Sequence, residues 1–245
     1  MNNFWLHHIF AKGKGYGQFS LKHLILLFIS VLFITFVVVQ YKVSDSLTRI
    51  LILRSIAIGL LICEITKIIV MAKVGVKVVD HLPLELCSFA GYFIMIDSIQ
   101  PANGLFLEML LTLFMPAAIM SLIFPTTSCL PMINYFTFQQ FIFHTLIIAY
   151  VSSRFIAGEI ALTYIGLWKS ILIVITLALI IFIIDTIFDK NFFFLKGPYD
   201  NPLLSIFYRI SKGGTRYSIS LVIFSAIAVQ FFFLLFKLIE KLIIK

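Results

Sequence analysis

LWKSILIVITLALIIFIIDTI, residues 167–187, decides the fold. Between Lys169 and Asp185 it carries no charge, and only Ser170 and Thr176 interrupt the apolar run. A bilayer core of about 30 Å takes ~20 such residues as a helix. A barrel strand would alternate polar and apolar residues over about 10 positions, and this run does not alternate. In lipid the backbone must satisfy its own hydrogen bonds, so the stretch reads as a transmembrane helix.

The whole chain has the same character. Hydrophobic residues make up 61% of the 245 positions and charged ones only 12%, with 27 Phe. A soluble domain carries about 25% charged residues. Mean hydropathy is +1.09. This excludes a soluble enzyme, a disordered chain and a nucleic-acid-binding domain, because too little charge is present to cover a water-facing surface. The net charge of +8, from 19 Lys+Arg against 11 Asp+Glu, fits cytoplasmic loops and anionic head groups and not DNA. Three Cys supply no disulfide framework.

Working outward, comparable stretches fall at 24–39, 50–70, 82–99, 105–124 and 136–151 before the quoted run, and at 219–239 after it. The expected fold is all-α: a polytopic transmembrane helical bundle of about seven spans, forming a single domain over 1–245. The polar start, with Lys12, Lys14 and Lys22, reads as the flank of an anchor and not as a removed signal peptide. Gly197-Pro198 and Gly213-Gly214 break the long connection 189–218. Most Lys and Arg fall on the side of the N-terminus, Arg154 being counted on the other. This predicts a multi-pass cell-membrane protein with a cytoplasmic N-terminus.

Polar residues at membrane depth carry the functional signal, because they are expensive there. In the third span His81, Glu85, Ser88 and Tyr92 share one helical stripe, with Pro83 suited to a first turn and Cys87 about 160° away. In the fifth, Thr137, Gln140 and His144 share another, with Gln139 beside it. Glu64 and Lys67 are three apart and able to pair. All lie within ~15 Å of one membrane face, which predicts a single polar cavity in one leaflet. Arg54, Lys169 and Asp185 read as snorkelling residues, Glu108 as a helix-end residue, and His7-His8 as a solvated interfacial pair. His144 can serve as general base, oriented by Glu85 or Gln140, with a Cys, Ser or Thr as nucleophile of an acyl transfer. No HExxH-like spacing supports a metal, so neither metal nor cofactor is expected.

Several segments together resemble the bacterial YwaF-like integral membrane proteins, which are related to animal transmembrane protein 164. They are HLPLELCS (81–88), Phe124-Pro125, FQQFIFH (138–144), NFFFL (191–195) and DNPLL (200–204). The resemblance covers roughly 80–208. It implies a helical membrane protein. The animal relative is regarded as a phospholipid acyltransferase that uses a Cys acyl-enzyme, and the more distant androgen-induced-gene type hydrolases pair Thr with His. By that analogy His144 is the base, His81 the second catalytic imidazole or head-group ligand, and Cys87 the nucleophile. Glu85, Ser88, Gln140, Tyr92 and Thr137 would then bind substrate. Two departures stand out. Bacterial members often carry His where this chain has Glu85, and if the family Cys aligns with Leu84 then Ser88 or Thr137 would have to serve. Residues 205–208 also lack the Trp typical of bacterial members.

The expected function is therefore a membrane-embedded acyltransferase or lipid hydrolase acting on phospholipid or lipoprotein acyl groups. The alternative is a transporter or lipid-binding protein using the same cavity without covalent chemistry. Membrane lipids are the expected partners, nucleic acid is not, and the oligomeric state is open.

Overall fold

The computed structural model describes residues 3–7, 15–101, 106–198 and 201–244. Of the described residues 79% are helical, and none is in a strand. Five helical stretches are long and apolar enough to cross a membrane: Leu21–Val43, Ser46–Lys73, Leu107–Cys129, Tyr164–Phe188 and Gly214–Leu242. The expected count of about seven spans is thus not reproduced as such. Residues 82–99 differ most. Their helix, α3 (Leu86–Ile99), has 14 residues, about 21 Å at 1.5 Å per residue and short of the bilayer core. Pro83 is the reason. The residue before a proline is driven out of the helical region, and Leu82 adopts φ −54°, ψ 151°. A 3-10 turn therefore ends at His81, and Glu85 becomes the N-cap of α3.

The stretch 136–151 differs in another way. Its helix α6 (Tyr135–Ile156) has 22 residues, long enough to cross, but carries Gln139, Gln140, His144 and Arg154. It lies at the centre of the bundle, packed against α1 (Leu21–Val43), α2 (Ser46–Lys73), α3 and α5 (Met115–Ile123). Being wrapped by other helices, it tolerates polar side chains that lipid would not. The outer helices α1, α7 (Tyr164–Phe188) and α9 (Gly214–Ile239) show the opposite pattern, with Phe28, Phe36, Leu172, Ile183, Ile227 and Phe231 exposed. Those faces suit acyl chains.

Side chains close the helix ends in the usual way. The Ser20 hydroxyl accepts from His23 N–H, Asp45 from Thr48, and Thr163 from Gly166. The Thr48 contact holds the Asp45 carboxyl below the ordinary carboxylate range. The stretch through Leu107–Cys129 is one helix with an interruption. After α4 (Leu107–Met109), a π-helical turn runs over Leu110–Phe114, and Met115 N–H bonds back to Leu110 O. Pro116, the second residue of α5, has no N–H to give to the ordinary ladder, and the wide turn absorbs that loss. Glu108 at the start of this stretch takes up hydrogen bonds from Thr163 N and Thr163 Oγ1 at 3.2 and 2.9 Å, at the N-terminus of α7. A short amphipathic helix, α8 (Pro202–Ile210), interrupts the connection between α7 and α9. Gly15 sits against Ser128 O, where a Cβ would fall 2.3 Å from that backbone oxygen, and Tyr16 N–H donates to Leu130 O.

A buried ionic cluster joins the helices at one end. Arg154 is 3% exposed and is not the loop cation the sequence suggested. Its guanidinium bonds Asp97 at 2.6 Å, Pro101 O at 2.6 Å, and Glu159. Tyr150 donates to Asp97, and Tyr41 to both oxygens of Glu159 at 2.9 Å. Arg49 pairs with Glu159 at 3.5 Å and ties up Tyr41 O and Ser44 O in the α1–α2 turn. Asp185 is likewise buried, not snorkelling. It accepts from Phe192 N–H and so folds the chain after α7 back on itself, whereas Lys169 is exposed as expected. Removing one partner of a buried pair leaves an uncompensated charge and costs ~3–5 kcal/mol. Arg154→Leu should therefore lower Tm by on the order of 10 °C in detergent, read by intrinsic fluorescence, while Lys169→Leu at the surface stays unchanged.

Candidate functional site

The bundle holds a partly open cavity of about 730 Å³. Its polar lining comes from Glu64 and Lys67 of α2, Glu85 and Cys87 at the start of α3, Ser121 of α5, and Gln139, Gln140 and His144 of α6. The largest share of its apolar lining from one helix comes from α9 between Leu221 and Phe232, with Val174 and Ala178 of α7 and Leu203 and Leu204 of α8 among the rest. Along α9 that wall runs about 17 Å at 1.5 Å per residue.

Glu64 is the best-anchored carboxylate in it. Ser88, 2% exposed, donates to Glu64 Oε1 at 2.8 Å, and Lys67 Nζ lies 2.7 Å from Glu64 Oε2. The pair expected from the i, i+3 spacing is therefore made, in a buried position. Glu85 lies close enough to act on Lys67 electrostatically. Two carboxylates thus face one ammonium. A buried pair contributes little net stability, and an ion pair at membrane depth marks a functional candidate.

His144 is oriented by its own helix. Its Nδ1 lies 2.7 Å from Gln140 O. A carbonyl only accepts, so Nδ1 carries the proton and the neutral ring keeps its lone pair on Nε2. The Gln140 side chain does a different job: it donates to Ser121 O at 3.2 Å and accepts from Thr126 at 3.3 Å, bridging α6 to the end of α5. Gln140 thus orients His144 through its backbone.

The sequence-based candidates divide. Cys87, Glu85, Gln140 and His144 line the cavity together. The expected stripe of His81, Glu85, Ser88 and Tyr92 does not form, because residues 82–85 are not helical. Glu85 as N-cap and Cys87 in the first turn both reach the cavity, so the 160° offset between them does not apply. Ser88 supports Glu64 from behind. Tyr92 donates to Pro83 O and Thr137, fully buried, to Pro131 O; neither lines the cavity. The His81 side chain lies outside the described residues, as does His8.

Sequence reasoning missed two features. His7 is not solvated: it is 1% exposed, lines the cavity and meets Phe136 edge-to-face. Its burial depends on an N-terminal segment folding back over α6, which no local pattern announces. The cluster of Asp97, Arg154 and Glu159 had a signal in Asp97 itself, a lone acid inside an apolar stretch. Among the described residues no group of three His, Cys, Asp or Glu is placed to hold a metal ion.

Fold and cavity define a multi-pass helical membrane protein with a cavity lined by both charged and apolar side chains. The chain belongs to the TMEM164 family, whose family model matches residues 18–236. No curated protein and no solved structure matches it. The tautomer assignment has a direct check. ¹⁵N spectra of histidine-labelled protein should show His144 as the Nδ1–H form at neutral pH, and a dominant Nε2–H form would contradict the geometry.

Proposed function

We propose that the protein is a membrane-embedded acyltransferase or lipid hydrolase acting on phospholipid or lipoprotein acyl groups. The observation that carries this reading is the shared cavity: His144, Cys87 and the Glu64–Lys67–Glu85 charges line a chamber whose remaining wall is largely apolar. An amphiphile's polar group would lie among the charges while its chain runs along α9. The His-centred chemistry follows from the tautomer. His144 Nε2 takes the proton of the Cys87 thiol, and the thiolate attacks the ester carbonyl. The proton then passes to the departing lysolipid oxygen, leaving a thioester on Cys87. Water at that thioester gives hydrolysis and an acceptor hydroxyl or amine gives transfer, with His144 again taking the incoming proton. His81 belongs to this proposal as a second imidazole.

The finer reading of identity and topology is part of the same proposal: a YwaF-like bacterial member, one transmembrane domain, α6 and the α3 region adding to the five long helices to make about seven crossings, and a cell-membrane location with a cytoplasmic N-terminus. A second reading, lipid transport or binding without covalent chemistry, draws on one observation: the hydrogen-bond partner of the Cys87 thiol is Ser121 of α5.

His144→Ala should cut phospholipid ester turnover in proteoliposomes by roughly 10²–10⁴-fold without changing Tm, and Cys87→Ser should abolish labelling by a thiol-reactive acyl probe. An unchanged acyl profile in both variants would exclude the enzymatic reading and favour the second.

A further inference from the structure

Residues 3–7 reach the site, although they precede the first helix by more than ten residues. Asn3–Trp5 form a 3-10 turn that lies against the N-terminus of α6. Three successive residues there each receive it. Asn134, 0% exposed, donates from Nδ2 to Asn3 O and Leu6 O, both at 2.9 Å. Tyr135 stacks on Trp5, with centroids 5.7 Å apart at 28°. Phe136 meets His7 edge-to-face at 4.8 Å. The other end of the Asn134 amide is equally occupied, since Oδ1 caps α6 by accepting from Phe136 and Thr137 N–H. Carbonyls on one side and amide donors on the other leave only one orientation for that side chain. The residue that starts the helix of His144 is therefore also the residue that seats the segment.

His7 arrives in the lining of the cavity by this route, a lining that also includes Glu64, Lys67 and Gln139. An imidazole both donates and accepts, which suits it to a phosphate or ester oxygen in a chamber whose other walls are largely apolar.

We propose that residues 3–7 form a clasp completing the polar part of the cavity, and that His7 hydrogen-bonds the polar group of the bound lipid. The inference rests on the reading of the cavity as a lipid site and adds a ligand-contacting residue outside the segments that resemble known families.

The two tryptophans make a test available. Trp168 is 64% exposed on α7, so Trp168→Phe leaves Trp5, stacked on Tyr135, as the single reporter of the clasp. The full chain carrying this change is titrated in maltoside micelles with dioctanoyl phosphatidylcholine, and Trp5 emission is followed. His7→Leu should weaken the affinity about fivefold, the loss of one hydrogen bond, while His7→Gln, which keeps a donor and an acceptor, stays within about twofold. A purely space-filling role would reverse that order, because Leu suits the face of Phe136 better than Gln does. Trp5 emission before lipid is added reports whether the clasp is seated. If His7→Leu unseats it, the comparison passes to His7→Asn and His7→Gln, which must then both retain binding. Equal affinity for the native, Leu and Gln chains overturns the inference and leaves the lipid reading intact. Absence of binding by the native chain overturns both.

Discussion

A polar side chain is costly against hydrocarbon, and α6 carries Gln139, Gln140, His144 and Arg154 along its length. Its position follows from that constraint. Gln139, Gln140, His144 and Arg154 lie on a helix that the others surround, and each of the last three finds a partner within the bundle. The more uniformly apolar helices α1, α7 and α9 form the periphery because lipid costs them nothing. The architecture is a sorting of helices by what they can expose.

Along α6, polarity is gathered into two places about 15 Å apart, His144 and Arg154 being ten residues from each other. They differ in kind. Around Arg154 every charge has a close partner from another element, and Tyr150 and Tyr41 supply further donors. That cluster holds α3, α6 and the α1–α2 turn in register. Around His144 the charges instead line open space. Two carboxylates share one lysine, and an imidazole keeps a lone pair. A closed network fixes geometry, whereas an open one leaves capacity for a ligand. The contrast is the physical basis for placing the site at the His144 end.

Much of this was legible from residues alone. Stretches such as 167–187 are uniform enough to be membrane helices on composition, and the Glu64–Lys67 spacing correctly foretold a pair. The meeting of Glu85, Gln140 and His144 in one chamber followed from reasoning about leaflets. What failed did so for local reasons. A helical stripe through Pro83 ignores that a proline disfavours helix at the residue before it, and within α3 Ser88 turns to Glu64 and Tyr92 to Pro83 O. Charges near span ends give no local sign of burial: Asp185 reads as a snorkelling group and Arg154 as a loop cation. For Asp185 and Arg154 the deciding partners are a backbone N–H beyond the helix and an acid on another helix, which periodicity does not encode. Long-range contacts of a short N-terminal segment were equally out of reach, and His7 went with them.

The π-helical turn ahead of Pro116 has a consequence in angle. One residue beyond the regular ladder rotates everything after it by roughly 100° relative to what precedes it. Upstream, Glu108 is committed to the start of α7; downstream, Ser121 belongs to the wall of the chamber. The extra residue thus acts as a phase shifter, setting the angle between the part of the rod that meets α7 and the part that carries Ser121.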